Sequence, residues 1–156
     1  MDMQMPKVSQ EMARLTELFA GTWRGEETLH PSEWDPVGGP AFGTWTVRAG
    51  VDGFVLLVDY EEERDGKVAY RGHGVHGWDG RQGTFLAYWF DNIGILPSAG
   101  IRAQLDGDRY TYEEASPMGH TRFTYTWADG TFSFTIERSP DGATWSPMHD
   151  GRYRRV

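Results

Sequence analysis

Two histidines are the residues in this chain best suited to chemistry. His149 lies in Met148-His149-Asp150-Gly151-Arg152-Tyr153 and shares a strand alternation with Trp145 and Tyr153, so all three are expected to face inward. A neutral imidazole in an apolar pocket can ligate iron or act as a base. It can equally be a core histidine satisfied by a tyrosine hydroxyl. His76 lies in Tyr70-Arg71-Gly72-His73-Gly74-Val75-His76-Gly77-Trp78. If Tyr70 and Trp78 point inward, so does His76, with Gly72 and Gly74 either leaving space for a ligand or marking a bend of the sheet. His73 falls on the opposite face of the same strand, so the two cannot chelate one ion without a bulge, and no metal site is expected. His30 and His120 fall at loop positions and are expected to be solvated.

The carboxylates offer less. Glu26 and Glu27 alternate faces, so one of them turns inward, where pairing with an arginine of the last strand is the expected fate. Asp91-Asn92-Ile93-Gly94 places a carboxylate and an amide at a strand end, which is also what an ordinary turn requires. There is no phosphate-binding glycine loop, no His-Glu-x-x-His and no nucleophile elbow. The sequence therefore leans away from catalysis and assigns no catalytic residue.

The elements that must position these residues are short strands. The chain has 156 residues, 20 of them Gly, and 14% of it is aromatic, a composition that suits many strands and tight turns in one domain. It has no Cys, which excludes disulfides and thiolate metal sites and fits a cytoplasmic setting. No basic-then-apolar leader opens the sequence, and no apolar run approaches the roughly 20 residues of a membrane helix. A net charge of −8 disfavours nucleic acid, whose affinity rests on Lys and Arg neutralising phosphates. The basic tail Arg152-Tyr153-Arg154-Arg155 reads as a strand edge.

Residues 1–8 are expected to fray. Ser9 can cap a helix to about Phe19, with Met12, Leu15, Leu18 and Phe19 on one face. From Gly21 the pattern turns to period two, punctuated by Asp-Gly at 52, 65, 79, 106, 129 and 141, the strongest short-range hairpin signal. Strands are expected near 21–29, 41–49, 54–63, 67–78, 84–91, 100–105, 109–114, 121–127, 131–138 and 145–155. Residues 30–40, with three Pro and two Gly, form a loop whose Trp34 can fold back as a lid, and 92–99 is a second long connection. Inward rows are Phe54-Leu56-Val58-Tyr60, Ile101-Ala103-Leu105, Tyr110-Tyr112, Phe123-Tyr125-Trp127 and Phe132-Phe134-Ile136. The stretch Thr84–Phe90 is apolar on both faces and needs a cover, either the helix or a second subunit. About ten consecutive antiparallel strands hide their edges best by closing.

Gly21-Thr22-Trp23 after a short helix, a meandering barrel and arginines on the last strand resemble the calycins, which include lipocalins and fatty-acid-binding proteins. That resemblance implies a Trp ring covered by a last-strand arginine, placing Trp23 beneath Arg152 or Arg154, with Gly21 at the corner. A closer similarity is to a bacterial domain-of-unknown-function family. It is carried by Phe19-Ala20-Gly21-Thr22-Trp23-Arg24-Gly25-Glu26, Tyr70–Asp79, Trp89-Phe90-Asp91-Asn92-Ile93-Gly94, Ser139–Trp145 and Gly151–Arg155. More distantly, Gly21-Thr22-Trp23-Arg24-Gly25 is similar to the opening of nitrobindins, which implies haem with His149 as its axial ligand.

The fold expected is all-β: a meander barrel of about ten strands, calycin-like, with one N-terminal helix, over residues 9–156. The leading functional expectation is binding of an apolar or aromatic small molecule by His76, Trp89, Tyr112, Tyr125, Trp127, Phe134 and His149. Its competitors are a haem protein, an acid–base enzyme using His76 or His149, and a solidly packed structural barrel that forms a homodimer.

Overall fold

Ser9 starts the first element as its side chain promises. Its Oγ accepts the Met12 amide at 3.1 Å, and helix α1 runs Gln10–Phe19. Met12, Leu15 and Phe19 are buried, with Leu18 packed beside them. The structure, a computed structural model, describes residues 4–156. Of the segment expected to fray, residues 4–8 precede the helix without regular structure, and residues 1–3 lie outside the described residues.

Ten strands follow: β1 Gly21–Leu29, β2 Gly39–Gly50, β3 Val55–Arg64, β4 Lys67–Asp79, β5 Thr84–Asp91, β6 Ile101–Asp106, β7 Arg109–Ser116, β8 Gly119–Ala128, β9 Thr131–Ser139 and β10 Ser146–Arg155. Each pairs with its neighbours in sequence, and β1 pairs with β10 to close the barrel, so every strand is paired on both sides, although β5 meets β6 only over Phe85–Ala87. Asp65-Gly66 and Asp129-Gly130 both adopt positive φ, the conformation that matches hairpin twist. Asp79 acts differently: its carboxylate caps a longer turn by accepting the Arg81 amide at 2.9 Å.

The helix closes one end of the barrel. Phe19 lies 5.2 Å from the Trp127 ring and 5.3 Å from Phe132, and the Phe19 carbonyl accepts Trp23 Nε1 at 2.9 Å. The opposite end carries the loops 30–38 and 92–100. Here Trp34, Val37, Ile93, Ile95, Leu96 and Met118 are exposed.

Four expectations need correction. The arginine over Trp23 is Arg155, its guanidinium 4.3 Å from the ring centroid and donating to the Ala20 carbonyl at 2.7 Å. The alternation that buries Tyr153 turns Arg152 and Arg154 outward, where both are exposed. Trp145 also faces out, against Arg122 at 4.1 Å, because the register slips at Met148 between Pro147 and His149; such a bulge reverses which side chains face in. Phe54 caps the short 3-10 turn Val51–Gly53 and is exposed, so the inward row begins at Leu56. Finally, α1 fills the barrel end, so it does not cover the outer face of β5, where Leu86 and Tyr88 are half-buried and Phe90 is exposed.

Candidate functional site

The inward row of β1 is Trp23, Gly25, Glu27 and Leu29, and parity alone puts Glu27 inside. It is buried and takes no arginine, which corrects the expected pairing. Arg152 instead stands in register with outward Glu26. Glu27 Oε2 accepts the Tyr60 hydroxyl at 2.6 Å and the Tyr153 hydroxyl, while His149 Nε2 lies 3.2 Å away. Burial, with the charge of Glu27 as the next cause, holds both phenols far above their ordinary titration range, so they remain donors. The other oxygen, Glu27 Oε1, is buried without a hydrogen-bond partner.

Glycines make the room. A Cβ at Gly43 would collide with the Glu27 carboxylate, and one at Gly151 with the Tyr153 hydroxyl. On β4, a Cβ at Gly72 would collide with the Trp89 indole.

A second carboxylate extends the cluster. Glu62 continues the row Leu56-Val58-Tyr60 and is buried. Its Oε1 lies 3.9 Å from His149 Nδ1, and its Oε2 accepts Arg64 Nε at 3.2 Å. Neither Glu27 nor Glu62 was singled out as the inward acid from sequence, although the parity of Trp23 and of Tyr60 indicates both.

Above this cluster a cavity of about 440 Å³ opens toward the loop end. Its walls are mainly aromatic and aliphatic, with polar groups at a few places, as small-molecule sites are. Trp89, Tyr112, Tyr125, Phe134 and His149 line it. Tyr112 and Tyr125 join their hydroxyls at 2.9 Å. The remaining two residues expected to touch a ligand are not part of the lining. Trp127 packs under the helix, and His76 is fully buried with Nδ1 2.9 Å from the Tyr110 hydroxyl. Burial lowers the His76 pKa to about 4, so the ring is neutral. His73 pairs with Asp59 on the outer face at 2.8 Å, and no cluster that could hold a metal ion exists among the described residues. Among them, also, no helix is long and apolar enough to cross a membrane.

Trp34 does fold back over the mouth. The Arg138 guanidinium lies 3.7 Å from its ring centroid. Its loop is tied down by Asp35, which accepts Arg64 at 2.7 Å and the Gly38 amide at 3.1 Å. His30, expected to be solvated, is only partly exposed and sits 2.5 Å from Asp150.

The site does not suit haem as arranged. An axial histidine is neutral and turns one ring nitrogen to the iron. Here Nε2 is directed at Glu27 and Nδ1 at Glu62, and the guanidinium in the lining, Arg64, already serves two carboxylates.

The model of a family described as "Protein of unknown function (DUF1579)" matches residues 8–155. The solved structure titled "Crystal Structure of Rv2717c from M. tuberculosis" is similar with a TM-score of 0.70 at 14% sequence identity, covering 96% of this chain and 99% of that one. At that identity the likeness concerns the fold alone. No curated protein matches.

Proposed function

The chain belongs to the DUF1579 family, and we propose that it is a small-molecule-binding barrel whose ligand occupies the cavity at the loop end. One observation carries this reading. The helix end is packed solid around Phe19, whereas the other half of the same barrel encloses about 440 Å³. A purely structural barrel has no need of that space, since protein interiors are otherwise packed to crystal density. The Trp34 loop over the mouth and the glycines that clear space for Trp89 and Glu27 support the same reading.

Native mass spectrometry of the protein purified gently from its own host tests it. Added mass that disappears on denaturation is expected. Bare protein, together with failure to take up an apolar fluorophore such as Nile red, overturns the proposal.

A further inference from the structure

Acidic groups outnumber basic ones in the lining of the cavity. Four carboxylates line it, those of Asp35, Glu62, Asp91 and Glu114, against the single guanidinium of Arg64. That guanidinium is engaged, 2.7 Å from Asp35 and 3.2 Å from Glu62. The histidines of the lining offer no free cation either, because His30 faces Asp150 and His149 faces Glu27 and Glu62. A carboxylate or phosphate headgroup entering here would meet like charge and would have to displace Asp35 or Glu62 from Arg64.

The apolar walls beside Glu62 independently favour a cation. The Trp45 and Tyr60 rings lie 4.4 Å apart, Tyr60 lies 5.9 Å from Tyr70, and Trp89 lies 6.4 Å from Tyr60. Two polar edges in this group are satisfied, since Trp89 Nε1 donates to the Tyr70 hydroxyl at 2.7 Å and that hydroxyl donates to Asp91 at 2.8 Å, while Trp45 Nε1 is buried without a partner. Trp45 and Tyr60 are buried, so the aromatic surface most open to the cavity is that of half-buried Tyr70 and Trp89, and a ring face attracts ammonium groups through its negative quadrupole. Behind them, buried Glu27 Oε1 has an unused acceptor position.

We propose that the cavity selects an apolar molecule bearing a protonated amine, with Glu62, whose charge Arg64 offsets only in part because it also serves Asp35, as its counter-charge and the Tyr70 and Trp89 rings as its aromatic contacts. This rests on the cavity being a ligand site. The amine lies against Glu62 and the ring faces, and the hydrocarbon or aromatic body fills the space toward Tyr112 and Phe134. The sign of the recognised headgroup is thus opposite to that read by a barrel with a free internal arginine.

Displacement of Nile red from the full chain at pH 7 by dodecylamine, dodecanol and dodecanoate tests the proposal, since the three share one apolar body. Dodecylamine is expected to displace the dye at concentrations about tenfold below the other two. Glu62→Gln should narrow that gap while leaving dodecanol unchanged. Should that variant fold poorly, Glu114→Gln, at an exposed position, should narrow it by a smaller factor. Displacement by dodecanoate or dodecanol equal to or better than by the amine overturns amine selectivity and leaves the cavity reading standing. No dye uptake, with no heat of binding from any of the three, overturns both.

Discussion

Glu27 and His149 meet at 3.2 Å across the seam where the first and last strands close the barrel. Their strands pair antiparallel, with Glu27 opposite Gly151 and Leu29 opposite His149. The absent side chain at Gly151 admits the Tyr153 hydroxyl, which donates to the same carboxylate. The seam is therefore held by a buried polar cluster as well as by its backbone ladder. Removing one member of such a cluster leaves its partners buried without hydrogen bonds, which is costly at low local dielectric.

Glu27→Ala should accordingly be severe. It leaves the Tyr60 and Tyr153 hydroxyls without their acceptor and His149 without its facing carboxylate. The expected loss is about 3–5 kcal/mol in urea denaturation. Glu27→Gln, which keeps an acceptor oxygen, should lose less. Gly43→Ala, which forces a Cβ against the carboxylate, should cost about 1–3 kcal/mol. A Glu27→Ala protein as stable as the parent would show that the tyrosines find other acceptors.

Trp23 belongs to the opposite end and should behave as a stability residue alone. Its ring packs edge-on to Phe132 at 5.1 Å, and its Nε1 donates to the helix C-terminus. Trp23→Ala should lower stability by about 3–5 kcal/mol. Arg155→Ala, which removes the cation over the ring and its hydrogen bond to the Ala20 carbonyl at an exposed position, should cost about 1 kcal/mol. Thermal melts and Nile red affinity measured side by side check this. Loss of affinity at unchanged Tm would place Trp23 in the ligand site instead.

His76 gives a pH signature. In the unfolded chain its imidazole protonates as pH falls through about 6.5, and in the folded barrel only near 4 because burial disfavours the charge. The unfolded state binds more protons between those values, so this contribution is full above pH 6.5, declines as pH falls to 4 and is level below. The total is roughly 3 kcal/mol. His76→Phe should flatten that part of the stability–pH curve while costing some stability at neutral pH through the unpaired Tyr110 hydroxyl. An unchanged slope would mean that His76 is not the group responsible.

The strands were legible because alternation and Asp-Gly punctuation are local signals, and ten strands appear close to where period two and the turns place them. Closure made the rest of the core readable: Tyr110, Tyr125, Phe132 and Phe134 all face in as their rows require. What escaped was nonlocal. The Met148 bulge reverses the parity of Trp145, and its one local sign is Pro147, a residue that a sheet tolerates only at an edge, a strand start or a bulge. The row Leu56-Val58-Tyr60 continues to Glu62, but a charged residue looks like the end of an inward row until its partners are known. Those partners are distant in sequence, since Tyr60 is 33 residues from Glu27 and Tyr153 is 126. Likewise His76 and His149 read as equals in sequence. Packing separates them, burying one against Tyr110 and leaving the other in the cavity lining.

Asp35 should set how fast the cavity exchanges its contents. Its carboxylate holds the Trp34 loop by accepting the Gly38 amide and Arg64, and no other ion pair ties this loop to β3 among the described residues. Asp35→Ala should therefore speed Nile red release in stopped-flow measurements by about tenfold, with global stability nearly unchanged because the loop adds little to the core. The Gly38 amide first, and Arg64 after it, keep the Asp35 carboxyl below its ordinary range. With a lowered folded pKa, the tie is complete above the ordinary carboxylate value and is lost as pH falls through the lowered one. Dye release from the parent protein should thus accelerate only at acid pH, while Asp35→Ala releases quickly throughout. Equal release rates for the two at neutral pH would show that the Trp34–Arg138 contact, not Asp35, closes the mouth.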